Sequence, residues 1–202
     1  MNIFQIGTIV VLAIFYMVYI GKMLSQRKKG IQTDQIAKGK KHTSVFLIEV
    51  IMKCATYGIV LVQLISVMID WNWMPAGVRY IGFVIALLGD VIFSISVRTM
   101  KDSWRAGIPE NDKTEMVTEG IYAISRNPAF LGFDLMYIGV MLIYFNPIMI
   151  AFTVFAVIML HLQILSEEKF LPTVFGDEYE EYKKTVFRYL GRNFSNHISR
   201  QK

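Results

Sequence analysis

The residues with chemistry to offer fall in two short polar segments set among long apolar ones. The first reads Gly120-Ile-Tyr122-Ala-Ile-Ser-Arg126-Asn127-Pro128-Ala-Phe130-Leu-Gly132. The second runs from Glu167-Glu168 through Leu171, Phe175-Gly176 and Tyr179 to Tyr182. Arg126 presents a planar fork of donors that suits a carboxylate or phosphate. Asn127 and Pro128 fit the start of a helix, Asn as N-cap and Pro in the first turn, where a missing N–H does no harm. Adjacent glutamates on a helix point about 100° apart, so one can face a ligand while the other braces a neighbouring loop. Gln163 shares a face with Glu167 at i, i+4, and His161 shares another with Glu168 at i, i+7. Asp134 and the deeper Asp90 add two more polar positions near the same end. Ionisable groups within apolar spans are costly, and so many at one depth point to a polar cavity open to one membrane surface.

The elements that must position these groups are membrane helices. Hydrophobic residues make up 54% of the 202 and the mean hydropathy is +0.43, which excludes an ordinary soluble domain. A helix needs about 20 mostly apolar residues to cross the hydrocarbon core. Five stretches approach that: 3–20, 45–69, 78–97, 130–145 and 148–165. The last two are split only by Asn146-Pro147, a strong helix punctuator, and read as a tight helical hairpin. The first lacks a basic start and a clear cleavage site, so it reads as a retained span rather than a signal peptide. The expected fold is all-α, a single domain over 1–202 with five spans and an amphipathic tail helix.

Charge gives the orientation. Lys22, Arg27, Lys28, Lys29, Lys38, Lys40 and Lys41 follow the first span, Arg98, Lys101, Arg105, Lys113 and Arg126 follow the third, and Arg200 and Lys202 end a basic tail. The opposite connections hold only Asp70 and Arg79. Excess Lys and Arg marks the cytoplasmic side, so the N-terminus is expected outside and the C-terminus inside. The net charge of +5 is thus a topology signal. No nucleic-acid module accompanies it, and Arg27-Lys28-Lys29 suits anionic lipid instead. The single Cys54 excludes an internal disulfide. Glu49 and Lys53 have the spacing of a helical ion pair. Pro172 is expected to disturb the fifth helix, and Asp177 with Glu180 forms a capping-box pattern for the tail helix. That helix carries the packing stripe Tyr179, Tyr182, Val186. The segment 98–128, with Gly107 and Pro109 as breakers, is long for a mere connection and suits a lid or ligand cradle.

The order of these residues resembles the isoprenylcysteine carboxyl methyltransferase and phospholipid methyltransferase family. The pattern is Gly-x-Tyr, then Arg-(His/Asn)-Pro-x-(Tyr/Phe)-x-Gly, a hairpin of two spans, Glu-Glu-x-x-Leu, and Phe-Gly-x-x-Tyr-x-x-Tyr. It covers Val117 to Arg188, and before that only the pattern of spans matches. The resemblance implies S-adenosylmethionine as methyl donor, held at the cytoplasmic face by Tyr122, Arg126, Asn127, Pro128, Glu167 and Glu168. A lipophilic acceptor would enter from the bilayer. Either glutamate would take the donor's amino group, and Arg126 or backbone N–H groups its carboxylate. Gln163, His161 and Asp134 are candidates for the acceptor side with Glu167. The chemistry is displacement at an activated methyl, which needs alignment and exclusion of water rather than a metal or a covalent nucleophile. Three positions depart from the family: Asn127 stands for the usual His, Phe187 for a Pro, and Gln163 for an Arg four residues before the first glutamate. A neutral amide does not replace that charge, so the accepting atom (carboxylate oxygen, amine nitrogen or thiol sulfur) stays open. A rival reading is an NADPH-dependent double-bond reductase using Arg98, Lys101 and Arg105, and a third is a non-enzymatic membrane protein.

Overall fold

The computed structural model describes residues 1–108 and 114–193, so Pro109, Lys113, Arg200 and Lys202 lie outside the described residues. Six α-helices follow one another: α1 Ile3–Lys28, α2 Thr43–Ile69, α3 Ala76–Met100, α4 Pro128–Ile143, α5 Pro147–Phe175 and α6 Asp177–Thr185. Short 3-10 turns occupy Lys101–Ser103 and Gly120–Ala123. Of these, α1, α2, α3 and α5 are long and apolar enough to cross a membrane. The fourth expected span is a 16-residue helix, short for the task. It nonetheless runs between the same two ends as α5. Asn127 at its start bonds Glu168 on α5 at 3.1 Å, and Asn146 just past its end bonds the Trp71 carbonyl beyond α2 at 3.2 Å. Its sixteen residues cover about 24 Å at a rise of about 1.5 Å each.

Small residues let α3 and α4 approach closely, since lipid supplies no hydrophobic drive between spans and backbone packing must replace it. Gly82 and Gly89 on α3 face Gly139 and Gly132 on α4. A Cβ added at Gly89 would lie 2.6 Å from the Met136 nitrogen and 2.7 Å from the Gly132 oxygen. Beside this seam, Phe15, Phe93, Phe133 and Trp104 join in edge and stacked contacts. The hairpin Tyr144–Asn146 is tied by Asn146, whose side chain caps α5 through the Met149 N–H at 2.9 Å. Nearby, Arg79 pairs with Asp70 at 2.7 Å and lies 3.8 Å over the Phe4 ring.

At the opposite end two connections are laced together. The Ala106 N–H donates to the Thr33 carbonyl at 3.0 Å, and the Gln35 N–H donates to the Ala106 carbonyl at 2.8 Å. Buried Gln26 donates to the Trp104 carbonyl at 3.0 Å and accepts from the Thr33 hydroxyl at 2.6 Å. Here the structure corrects three expectations. Glu49 does not pair with Lys53. It is fully buried and accepts from Lys41 Nζ at 2.6 Å, the Ala37 N–H at 2.6 Å and the Ile108 N–H at 3.1 Å. Burial demands several donors for a carboxylate, and the laced connections supply them where one exposed-face lysine would not. Lys53 turns instead to Asp34 at 3.3 Å. Pro172 does not end α5. It lacks the N–H that would return to the Glu168 carbonyl, yet the helix continues to Phe175 and the Gly176 N–H closes on the Pro172 carbonyl at 2.9 Å. Finally, Asp177 is the first residue of α6 and not its cap. Gly176 holds the cap position at φ +56°, a left-handed turn that seats α6 directly after α5, and no side-chain cap bond forms.

The α3–α4 seam yields a direct test. Gly89→Ala forces backbone against backbone and is expected to cost about 1–3 kcal/mol, the usual range for overpacking. Gly77→Ala, with nothing within 4 Å of the added carbon, is expected to leave stability unchanged or slightly raised. Thermal denaturation of the detergent-solubilised chain checks both, and equal melting temperatures for the two variants would refute the tight seam.

Candidate functional site

The two glutamates of α5 have different surroundings. Glu168 is buried against five donor nitrogens from three side chains. Arg126 reaches its Oε1 through Nη2 at 2.8 Å and Nε at 3.2 Å, and Asn127 Nδ2 reaches the same oxygen at 3.1 Å. Arg188 takes its Oε2 through Nη2 at 2.8 Å and Nε at 3.0 Å. The hydrogen bond to Glu168 holds the Arg188 guanidinium above its ordinary pKa. Arg126 spends its remaining nitrogen, Nη1, on the carbonyls of Lys183 and Val186. The segment before α4 and the chain after α6 are thereby fastened to α5. Backbone bonds repeat the fastening: the Arg126 N–H donates to the Phe187 carbonyl at 3.0 Å, and the Gly191 N–H to the Ile124 carbonyl at 2.8 Å. The Phe187 N–H donates to Gly191 at 2.9 Å, a bond that a proline at 187 would forfeit. Tyr182 donates its hydroxyl to the Tyr122 carbonyl at 2.6 Å, and burial pushes that phenol's pKa up, so it stays a donor.

Glu167 points elsewhere. Its hydrogen bond is from Gln163 Nε2 at 2.9 Å, the i, i+4 pair expected from spacing. It lines a cavity of about 300 Å³ whose polar wall includes Tyr122, Arg126, Tyr179 and Tyr182. Phe170, Leu171, Val174 and Phe175 form an apolar wall, and the segment from Met100 to Val117 supplies the opposite side. The stripe Tyr179, Tyr182, Val186 packs on Met116, Leu171 and Phe175, and its two tyrosines also line this cavity. A second cavity, about 460 Å³ and mostly apolar, lies among α1, α2, α4 and α5. Tyr19, Met52, Thr56, Phe133, Leu160 and Gln163 are in its wall. Arg105 and Gly107 line both cavities. Gln163 links them too: its Nε2 holds Glu167 of the first cavity, and its Oε1 is buried without a protein partner in the wall of the second.

The expected site residues therefore divide. Tyr122, Arg126 and Glu167 meet at the first cavity and Gln163 at the second. Asn127 and Glu168 stand behind the wall as a brace, with Pro128 opening α4 beside them. Asn127 occupies the N-cap of α4 but makes no cap bond, and its Nδ2 donates to Glu168 and the Arg188 carbonyl. His161 and Asp134 line neither cavity. His161 Nδ1 meets the Tyr189 hydroxyl at 2.7 Å, on the α5 face that also carries Glu168. Asp134 and Asp90 are buried on their helices, and among the described residues both Asp90 oxygens and Asp134 Oδ1 have no hydrogen-bond partner. The single converging cluster expected from sequence is thus a pair of cavities, a brace and separate buried positions. The shared wall at Arg105 and the Glu49 anchor were missed. Nothing in their local spacing marks them, since both act across connections distant in sequence.

A helical membrane bundle with two adjoining cavities at one end, one lined by charged and apolar side chains together and one mostly apolar, is the class that fold and site define. The phospholipid methyltransferase family profile matches residues 78–178, half the chain, and the chain belongs to that family. A probable protein-S-isoprenylcysteine O-methyltransferase of Oryza sativa subsp. indica is 34% identical over 112 residues, covering 54% of this chain and 59% of the relative. The corresponding protein-S-isoprenylcysteine O-methyltransferase of Dictyostelium discoideum is 26% identical over 134 residues, covering 63% and 56%. The chain thus spans little more than half the length of these curated relatives. A solved structure of the eukaryotic intramembrane Ras methyltransferase ICMT (isoprenylcysteine carboxyl methyltransferase) shares the fold at a TM-score of 0.64 and 22% identity, covering 90% of this chain and 64% of that one.

The brace makes a prediction separable from ligand binding. Glu168→Ala leaves Arg126 and Arg188 without their carboxylate, and removing one partner of a buried ion pair costs on the order of 3 kcal/mol. The expected result is a lower melting temperature together with faster tryptic cleavage after Lys183 and Lys184. Unchanged melting and unchanged cleavage would show that Glu168 does not secure the tail.

Proposed function

We propose that this chain is an integral membrane methyltransferase that moves a methyl group from S-adenosylmethionine to a lipophilic acceptor. The observation that carries the reading is the meeting of the two cavities at Gln163 and Glu167. Its family membership and the curated relatives, named as methyltransferases, support it. The donor supplies an already activated methyl on a sulfonium. The chain's task is to bind, orient and keep out water.

The residues present fit such a donor. Glu167 lies in the first cavity, and among the described residues its hydrogen bond is the one from Gln163, so a carboxylate remains available to a cationic amino group. Tyr122, Tyr179 and Tyr182 offer ring faces and hydroxyls, and the Phe170–Phe175 wall offers apolar surface for a nucleoside. Burial pushes the Tyr122 phenol up, which keeps it neutral at any physiological pH. Arg126 is less suited to a donor carboxylate than its fork suggests, because Glu168 and two tail carbonyls already occupy its three nitrogens. Its role in this reading is positioning, with Asn127, Pro128 and Glu168, of the wall against which the donor rests. The apolar cavity takes the acceptor's hydrocarbon, and Gln163 holds Glu167 toward the donor while its carbonyl oxygen faces the acceptor. His161 and Asp134, which line neither cavity, drop out of the acceptor site. The site end is the cytoplasmic one, on the strength of the basic connections gathered there against Asp70 and Arg79 at the other.

Donor binding is the test. Purified chain is expected to bind S-adenosylmethionine in the micromolar range. Glu167→Ala is expected to weaken it by about tenfold or more, as loss of a charged hydrogen-bond partner does, with the melting temperature little changed. Undiminished binding in Glu167→Ala would remove Glu167 from the donor site, and saturable binding of NADPH instead would favour a reductase.

A further inference from the structure

Glu49 lines neither cavity, yet it is tied to the wall that both share. It lies near the start of α2, fully buried, and its two oxygens face different connections. Oε2 accepts from the Ala37 N–H, in the connection after α1, at 2.6 Å. Oε1 accepts from the Ile108 N–H, in the connection after α3, at 3.1 Å. Lys41 Nζ, itself buried, donates to the two oxygens at 2.8 and 2.6 Å and to the Gln35 carbonyl at 2.6 Å. Among the described residues, the carboxylate's bonded neighbours are thus all donors. A glutamine there would turn its NH2 toward either Ala37 or Ile108, and whichever it met would lose its acceptor.

The wall so held is tightly built. Gly107, at φ +86°, lies against the other connection so closely that a Cβ there would be 2.8 Å from the Ile36 nitrogen. Ala37, whose N–H Glu49 receives, stands at φ +55°, a left-handed conformation that a residue with a Cβ rarely adopts. Such strain persists only where surrounding bonds impose it. The two connections also bond each other, through Ala106 with Thr33 and Gln35, and Gln26 ties the second to α1. Glu49 ties both to α2, beside the partly exposed Lys53–Asp34 pair. Helix α2 in turn packs on α5, closely enough that a Cβ at Gly58 would be 2.8 Å from the Phe152 ring. That helix carries Gln163 and Glu167, and the wall across the first cavity carries Gly107 and Ile108.

We infer that Glu49 is a positioning residue for methyl transfer: through the N–H groups of Ala37 and Ile108 it registers the shared wall against α5, and so fixes how the two cavities meet. The inference rests on the methyl-transfer reading above. Displacement needs the methyl carbon and the accepting atom in line at near contact, and an error of about 1 Å there costs about a hundredfold in rate. A wall made of connections has no helical register of its own, and a carboxylate shared between them supplies one. Position 49 lies before the residues 78–178 matched by the family profile.

The test uses the full chain in detergent with Trp71→Phe and Trp73→Phe, which leaves Trp104, in the wall of the second cavity, as the one tryptophan. In this background Glu49→Gln is expected to shift Trp104 emission to the red. It is also expected to speed hydrogen exchange of the Ala37 or Ile108 amide, and to weaken S-adenosylhomocysteine binding, by about tenfold each. Asp70→Asn, which weakens the Arg79 pair at the opposite end, controls for stability alone. It is expected to lower the melting temperature while leaving Trp104 emission unchanged and S-adenosylhomocysteine affinity within about twofold. Wild-type emission and affinity in Glu49→Gln overturn the inference, as does an equal loss of affinity in Asp70→Asn at equal loss of melting temperature. Absence of S-adenosylhomocysteine binding to the wild type overturns the methyl-transfer reading and the role within it, while emission and exchange still decide whether Glu49 sets the wall. Should Glu49→Gln not fold, Lys41→Met decides, since it keeps the carboxylate and removes the cation common to both oxygens. It is expected to give the same red shift and loss of affinity, and the absence of both overturns the inference.

Discussion

A buried carboxylate with no partners is too costly to exist at neutral pH, and the way Glu168 meets that constraint organises the whole site end. Its partners come from two places: Arg126 and Asn127 precede α4, and Arg188 follows α6, while Glu168 itself lies about three-quarters of the way along α5. Satisfying one carboxylate thus fixes where α4 begins, where the tail returns and how the polar segment before α4 lies. Such an ion pair adds little net stability over an apolar core, but it is intolerant of wrong partners, and so it specifies one arrangement. That service suits a wall made of connections, which have no helical packing to register them.

With Glu168 held in the brace, its neighbour Glu167 faces a cavity. The helical step of about 100° turns Glu167 away from the brace and into the polar cavity. Gln163, one turn back, limits its motion without neutralising it. The same economy appears at Glu49, where a buried carboxylate stitches the connection after α1 to the one after α3. Two carboxylates thus hold the two sides of the site, and a third, Glu167, faces the space between them. At the opposite end, Arg79 with Asp70 and Asn146 with Ser66 close the bundle in the same manner. Polar groups fasten both ends because the middle is held only by close backbone packing and aromatic contacts.

What the sequence made legible follows from range. Helical spans, the Asn146-Pro147 hairpin, the start of α4 at Pro128 and the Gln163–Glu167 pair all depend on residues a few positions apart, and each is where its spacing placed it. Helix α4 has the expected sixteen residues but sits two positions earlier, because Pro128 opens it and Tyr144 and Phe145 turn into the hairpin. Partners chosen across the fold were not legible. Glu49 has Lys53 at the favourable helical offset, yet it takes Lys41 and two backbone N–H groups, because burial rewards the number of donors and not their proximity in sequence. Arg126 has the chemistry of a ligand clamp, and only the return of the tail reveals that its donors are taken. His161 and Asp134 share a depth with the site but not a direction, and depth alone was what periodicity could report.

The division of the site into a polar and an apolar cavity explains why its halves differ in legibility. The charged groups of the first cavity sit in compact motifs, Glu167 one turn after Gln163 and Arg126 held by Glu168. An acceptor held by its hydrocarbon needs only apolar walls, which any membrane bundle has in plenty, so no motif announces it. The information about the acceptor is concentrated where its polar end must meet the methyl group. At that boundary stand Gln163, from a helix, and Arg105, from a connection pinned by residues of α1 and α2. The connection that carries Arg105 and the brace at Glu168 are fixed by separate sets of hydrogen bonds.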